Sequence, residues 1–196
     1  MAAMKLVETK NLSRSFGGLQ AVNGVDFSME KGEIRAIIGP NGAGKTTFVS
    51  LLSGRIDPTA GSIWFRGENI TAMPAWQRVR HGIAYTFQIT SIYPSLTAYE
   101  NVAIGAQTRV QHKQARRGGG DVTGQIDEIT HYCLGRVGLD RKASVTAGEM
   151  AYGHQRLLEI AMGLALDPSL LILDEPTQGL SDGEIVEFEH LVKQIR

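Results

Sequence analysis

Cysteine is almost missing: the 196 residues include one, Cys133. A single thiol cannot close an internal disulfide, so a reducing, cytosolic setting is expected. Net charge is missing as well. Twenty basic residues stand against 20 acidic ones, and no overall field draws nucleic acid or an acidic surface. No apolar run approaches the ~20 residues a helical membrane span needs. The opening Met1-Ala2-Ala3-Met4-Lys5 lacks the charged-then-apolar layout of a secretory leader. No internal repeat is evident. His81, His112, His131 and His190 show no metal-ligand spacing. What is present is ordinary: 42% hydrophobic and 20% charged residues, enough for one domain with room for an inserted subdomain.

The most informative stretch is Gly39-Pro40-Asn41-Gly42-Ala43-Gly44-Lys45-Thr46-Thr47, which fits the phosphate-cradling pattern G-x-x-x-x-G-K-[ST]. Before it, Ile34-Arg35-Ala36-Ile37-Ile38 reads as a buried strand. After it, Thr46 to Ser53 reads as a helix closed by Gly54. Glycines let a backbone wrap a phosphate chain with no side chain in the way. Backbone N–H groups and the positive helix end then face the anion. Lys45 adds a full charge, and the Thr46 hydroxyl is placed to ligate Mg²⁺.

The remaining chain divides by pattern. Met4 to Arg14 contains a short mixed strand, Leu19–Met29 reads as another, and Glu30-Lys31-Gly32-Glu33 is a turn before the phosphate-loop unit. Ser62–Arg66 is a strand, Pro74–His81 a short helix, and Ile83–Phe87 a strand ending at Gln88. From about Ile89 to Gly148 the character changes. Helices are expected at Thr97–Ala106 and Gly124–Val137, the latter holding Cys133 as a packing residue. Arg109 to Gly120 is basic, glycine-terminated and weakly periodic, and is expected to be an exposed, mobile loop. His154–Leu166 carries the apolar stripe of a helix, Ser169–Leu173 is a short buried strand, and a last helix starts near Ser181.

Asp174-Glu175 ends the Ser169–Leu173 strand. Parallel strands present their C-terminal ends at one edge, so Asp174 is expected beside the phosphate loop, holding Mg²⁺ directly or through water. Glu175 is then the candidate to polarise an attacking water.

Gly39 to Thr47, Gln88, Ala151-Tyr152-Gly153-His154-Gln155, Asp174-Glu175 and Asp182 occur in the order found in an ABC-transporter ATP-binding subunit. The chain resembles that family over essentially its whole length. Ser15-Phe16-Gly17-Gly18-Leu19, Thr86-Phe87-Gln88, Thr97-Ala98-Tyr99-Glu100-Asn101-Val102 and Ala151-Tyr152-Gly153 are similar to the branched-chain (hydrophobic) amino acid uptake group. The resemblance implies an α/β P-loop NTPase with a mostly parallel core sheet, an antiparallel β subdomain and an inserted helical subdomain. It implies a single domain, with 1–88 and 149–196 as ATP-binding core and about 89–148 as the insert.

It also implies roles. Phe16 would stack on adenine, with Val22 beside it. Gly39, Pro40, Asn41, Gly42, Ala43, Gly44, Lys45, Thr46 and Thr47 would hold the phosphates of ATP. Gln88 would contact Mg²⁺ and the water region, and Thr46 and Asp174 would complete the metal's protein ligands. Glu175, Lys45 and Gln88 would be the catalytic set. Ala151, Tyr152 and Gly153 resemble the signature segment that serves the ATP of an opposite subunit, although Ala151 lacks the hydroxyl usual there. Implied partners are a second ATP-binding subunit, the same or different, membrane-spanning permease subunits and, indirectly, a substrate-binding protein, with no nucleic acid. The implied location is the cytoplasmic face of the inner membrane. The family's switch histidine would lie beyond Arg196, and His190 comes too early for that role. The resemblance therefore implies a C-terminally shortened subunit that hydrolyses ATP poorly alone and exposes apolar surface. Rival expectations are a repair or translation ABC ATPase, a lipopolysaccharide-export ATPase, and a nucleotide-binding regulatory module without turnover.

Overall fold

A computed structural model describes residues 5–86, 91–117 and 121–195. Gln88, with Phe87, Ile89 and Thr90, lies outside the described residues. The chain divides into two compact units, with the boundary in sequence between Ile83 and Ala84.

The first unit is built on an antiparallel sheet. Lys5–Phe16 (β1) and Leu19–Glu30 (β2) form a hairpin closed by Gly17-Gly18, and the sheet order is β2-β1-β3-β4, with β3 at Ala60–Phe65 and β4 at Glu68–Asn69. Leu6, Val7, Leu12, Ile63 and Phe65 bury the inner face. Lys45–Ser53 (α1) buries Phe48, Val49, Leu51 and Leu52, and the short Ala75–Arg80 helix (α2) starts behind Pro74.

The run 34–38 corrects the sequence reading, for it forms no strand. Ile34, Ile37 and Ile38 are 48, 40 and 91% exposed. An apolar run supplies surface to bury, but a strand also needs a hydrogen-bonded neighbour. Within this unit the four-stranded ladder is complete without these residues.

Arg78 is the largest fully buried side chain of this unit. Its Nη1 donates to the carbonyls of Leu51 (2.7 Å) and Leu52 (3.0 Å), its Nη2 to Thr71 O (3.0 Å), and its Nε to Met73 O (2.8 Å). The guanidinium thus donates to two carbonyls in the last turn of α1, of which Leu51 O also accepts from Gly54 N at 3.2 Å. Burial pulls its pKa below the ordinary arginine value, with Asp57 opposing. Arg78→Lys is expected to cost about 2–4 kcal/mol in chemical denaturation, because one ammonium cannot span four carbonyls. An unchanged denaturation midpoint would contradict that role.

The second unit is mostly helical. Ile83–Thr86 (β5) pairs with Leu170–Leu173 (β6), the part of the expected core sheet found among the described residues. Ala98–Arg117 (α3), Val122–Arg136 (α4), Tyr152–Ala165 (α5) and Asp182–Ile195 (α6) surround a core including Val102, Ala106, Leu134, Leu158, Ala161 and Phe188. Gly105 lets α3 approach α5 closely: a Cβ there would stand 2.9 Å from Met162 O. Cys133 is buried on α4, and burial raises its thiol pKa.

The expected loop from Arg109 is a second correction, since α3 continues through Arg117. Ala98, Val102, Ala106 and Val110 recur every fourth residue and are all buried. That stripe crosses the position where the loop was expected to begin. Arg109 itself pairs with Asp167 at 2.8 Å, just beyond α5. The basic residues that follow it in α3 are of types that form helices well.

Both α3 and α6 start with a reciprocal cap. Thr97 N (2.7 Å) and Oγ1 (2.9 Å) donate to Glu100 Oε2, while Glu100 N donates back to Thr97 Oγ1 (3.2 Å). Ser181 N (2.8 Å) and Oγ (2.7 Å) donate to Glu184 Oε2 in the same way. Hydrogen bonds from the Thr97 backbone N–H hold the Glu100 carboxyl below the usual glutamate value of 4.5, and the Ser181 hydroxyl does the same for Glu184. A folded value below the unfolded one means stability present above pH 4.5 and lost as the pH falls through the folded values. Circular dichroism should therefore show helicity falling below that pH, and Glu100→Gln should remove part of the dependence. An identical acid titration for parent and variant would sink the assignment.

Candidate nucleotide site

The phosphate loop enters α1 through two left-handed glycines, Gly42 (φ 79°) and Gly44 (φ 82°). At Gly44 only a hydrogen fits, because a Cβ would stand 2.1 Å from the carbonyl oxygen of Ala21. The loop is braced by Ala43 N donating to Pro40 O (3.2 Å) and Phe48 N donating to Gly44 O (2.8 Å). No side chain caps the start of α1. Such a helix end carries roughly half a positive charge from N–H groups aimed outward. Lys45 lies over the loop, its Nζ donating to Gly39 O (2.6 Å) and Pro40 O (2.8 Å). Thr46 is exposed and Thr47 half-buried beside it.

A hollow of about 260 Å³ adjoins this turn, lined by Ala21, Val22, Asn23, Val25, Phe27, Ile37, Ile38, Ala43, Gly44, Lys45 and Phe48. Of the adenine-side residues named from the sequence, Val22 is buried in this lining. Phe16 is outside it, at the hairpin end, 44% exposed with the Arg14 guanidinium 4.5 Å from its ring. The glycine cradle, uncapped helix and adjacent ammonium fit a triphosphate.

In the second unit, Asp174 follows β6 and is 7% exposed. The Tyr85 hydroxyl on β5 donates to its Oδ2 at 2.8 Å. Glu175 adopts a left-handed backbone (φ 46°), uncommon for glutamate and costly by about 1–3 kcal/mol. Among the described residues no group of three or more His, Cys, Asp and Glu could hold a metal ion. Magnesium on a nucleotide needs only one or two protein ligands, the rest coming from phosphates and water, so Thr46 and Asp174 suit it chemically.

Tyr152 and Gly153 form the first turn of α5, with Ala151 before it and no side-chain cap. The glycine is the second helical residue rather than preceding the helix, as the sequence had suggested. A Cβ at Gly153 would stand 2.2 Å from Glu184 Oε1. His154 and His190 share with Gly153 the lining of a hollow of about 530 Å³ between α4, α5 and α6.

A family model described as ABC transporter matches residues 22–178. The chain belongs to the ABC transporter family. It is the ATP-binding subunit of such a transporter, an ATPase with the P-loop cassette fold. It is 36% identical to the high-affinity branched-chain amino acid transport ATP-binding protein BraF of Pseudomonas aeruginosa, across 97% of the chain and 77% of that protein. It resembles the ADP conformation of MJ1267, an ATP-binding cassette of an ABC transporter, at TM-score 0.85 and 27% identity over 98% of the chain and 77% of that structure. The dimeric MJ0796 cassette bound to ADP and Pi shares the fold at TM-score 0.79 and 24% identity, over 96% of the chain and 82% of that one. No helix among the described residues is long and apolar enough to cross a membrane.

Two residues that shape the cassette had no role assigned from the sequence, although Asn101 lies in a segment that carried the resemblance. Asn101 is fully buried, accepts from Tyr93 N (2.8 Å) through Oδ1, and donates through Nδ2 to Tyr93 O (3.1 Å) and Thr97 O (2.9 Å). It pins 93–97 against α3, which gives Thr97-Ala98-Tyr99-Glu100-Asn101 a structural purpose. Glu159, on α5, accepts from Ser91 N and pairs with Arg156 at 3.0 Å. Burial raises its carboxyl pKa, while Ser91 N–H and Arg156 oppose the rise. A carboxylate inside an apolar helix stripe has no signature until its partners are known.

Proposed function

We propose that this cassette powers a membrane importer for branched-chain amino acids. The 36% identity to BraF over nearly the whole chain supports the cargo class. We further propose that 1–88 with 149–196 forms the ATP-binding core and that about 89–148 forms the helical insert. The glycine-lined turn into the uncapped start of α1 carries the proposal for ATP. Gly39 to Thr47 would hold the phosphates, Lys45 would neutralise their outer charge, and Val22 and Phe16 would flank adenine. Thr46, Gln88 and Asp174 would hold Mg²⁺, which when bound draws negative charge off the transferring phosphate. Glu175 would accept a proton from the attacking water. Ala151, Tyr152 and Gly153, at the positive end of α5, would serve ATP held by a second ATP-binding subunit. Two such subunits and a pair of permease subunits would then work at the cytoplasmic face of the membrane, with a binding protein delivering the cargo.

Membrane proteins that co-purify with the cassette, reconstituted in vesicles, test the cargo directly. ATP hydrolysis should rise with binding protein carrying leucine, isoleucine or valine. Stimulation by a sugar-loaded binding protein alone would reassign the cargo.

A further inference from the structure

We propose that Tyr85 is a positioning residue for the Asp174 carboxylate, fixing which of its oxygens faces the nucleotide's metal. The inference rests on the assignment of Asp174 as a magnesium ligand. The two residues lie about ninety positions apart in sequence, and strand pairing joins them. Tyr85 is the third residue of β5, and Asp174 follows the last residue of its neighbour β6.

The Tyr85 hydroxyl sits 2.8 Å from Asp174 Oδ2, and the carboxylate is 7% exposed. A phenol keeps its proton near neutral pH, so the hydroxyl donates and the carboxylate accepts. A buried carboxylate requires such donors, since water is largely excluded. The donor is also neutral. Lysine or arginine in the same place would cancel the charge that attracts a cation, whereas a phenol orients the carboxylate and leaves its charge intact. With Oδ2 tethered, rotation of the carboxylate is restrained and Oδ1 stays available to the metal. Groups that orient metal ligands in this way typically change metal affinity about 10–100-fold when removed.

Tyr85→Phe deletes one oxygen and keeps the ring, so β5 retains its packing. Mn²⁺ binding, followed by electron paramagnetic resonance with a non-hydrolysable ATP analogue, should weaken about 10–100-fold in this variant. Nucleotide affinity measured in EDTA should be unchanged, as should the melting temperature to within a few degrees. Metal affinity within about twofold of the parent would overturn the proposal and leave Tyr85 a structural partner only. Asp174→Asn separates the two levels. If that variant loses Mn²⁺ and Tyr85→Phe does not, only the role of Tyr85 fails. If Asp174→Asn also binds Mn²⁺ like the parent, the magnesium assignment itself fails.

Discussion

Lys45→Ala is expected to abolish tight ATP binding, with affinity falling about 100-fold or more as charge-assisted hydrogen bonds worth roughly 1.5–3 kcal/mol each are lost. The ammonium lies on the carbonyl oxygens of Gly39 and Pro40. Those oxygens hold the lysine over the loop. A phosphate would meet helix end, loop amides and ammonium together, and the ammonium is the full charge among them. The loop should survive the substitution, because Gly42, Gly44 and the Pro40–Ala43 hydrogen bond do not involve the side chain. Calorimetric titration with ATP and Mg²⁺ gives the answer. Parent-like affinity with an intact fold would contradict the assignment of the phosphate loop.

Glu175→Gln should leave ATP affinity within a few-fold of the parent and slow phosphate release by about 10²–10⁴, the contribution expected of a positioned general base. Glutamine has the same length and tolerates the same left-handed backbone no worse than glutamate, so the local turn at φ 46° is kept. What it loses is the ability to take a proton. A backbone held off its preferred region beside the buried Asp174 is a common feature where a side chain must be aimed. Single-turnover phosphate release, paired with equilibrium binding, separates chemistry from affinity. Normal turnover in the variant would remove Glu175 from the catalytic step.

Much of this molecule is legible in its residues because the signals are local. Gly39 to Thr47 dictates a loop that only glycine can make at Gly44, and the helix after it follows from the apolar spacing of Phe48, Leu51 and Leu52. Strands within the β1 and β2 ranges, the helix around Cys133 and the strand before Asp174 were likewise readable from alternation, periodicity and punctuation. Two misreadings share one cause, that the deciding partner lies elsewhere in the chain. Arg109 reads as a solvated charge until Asp167 is brought to 2.8 Å. Residues 34–38 read as a strand because they are apolar, yet a ladder depends on what lies alongside.

By itself, then, the sequence determined the phosphate-binding turn, the acidic pair after β6, most element positions and the resemblance to ABC cassettes, for these rest on residue type and short spacing. Folding alone decided that Arg78 would close the end of α1, that Asn101 and Glu159 would tie down 91–97, and that Tyr85 would reach Asp174. Each is a polar group whose meaning is set by the carbonyl, amide or carboxylate it meets after burial. One-dimensional spacing carries no record of such encounters.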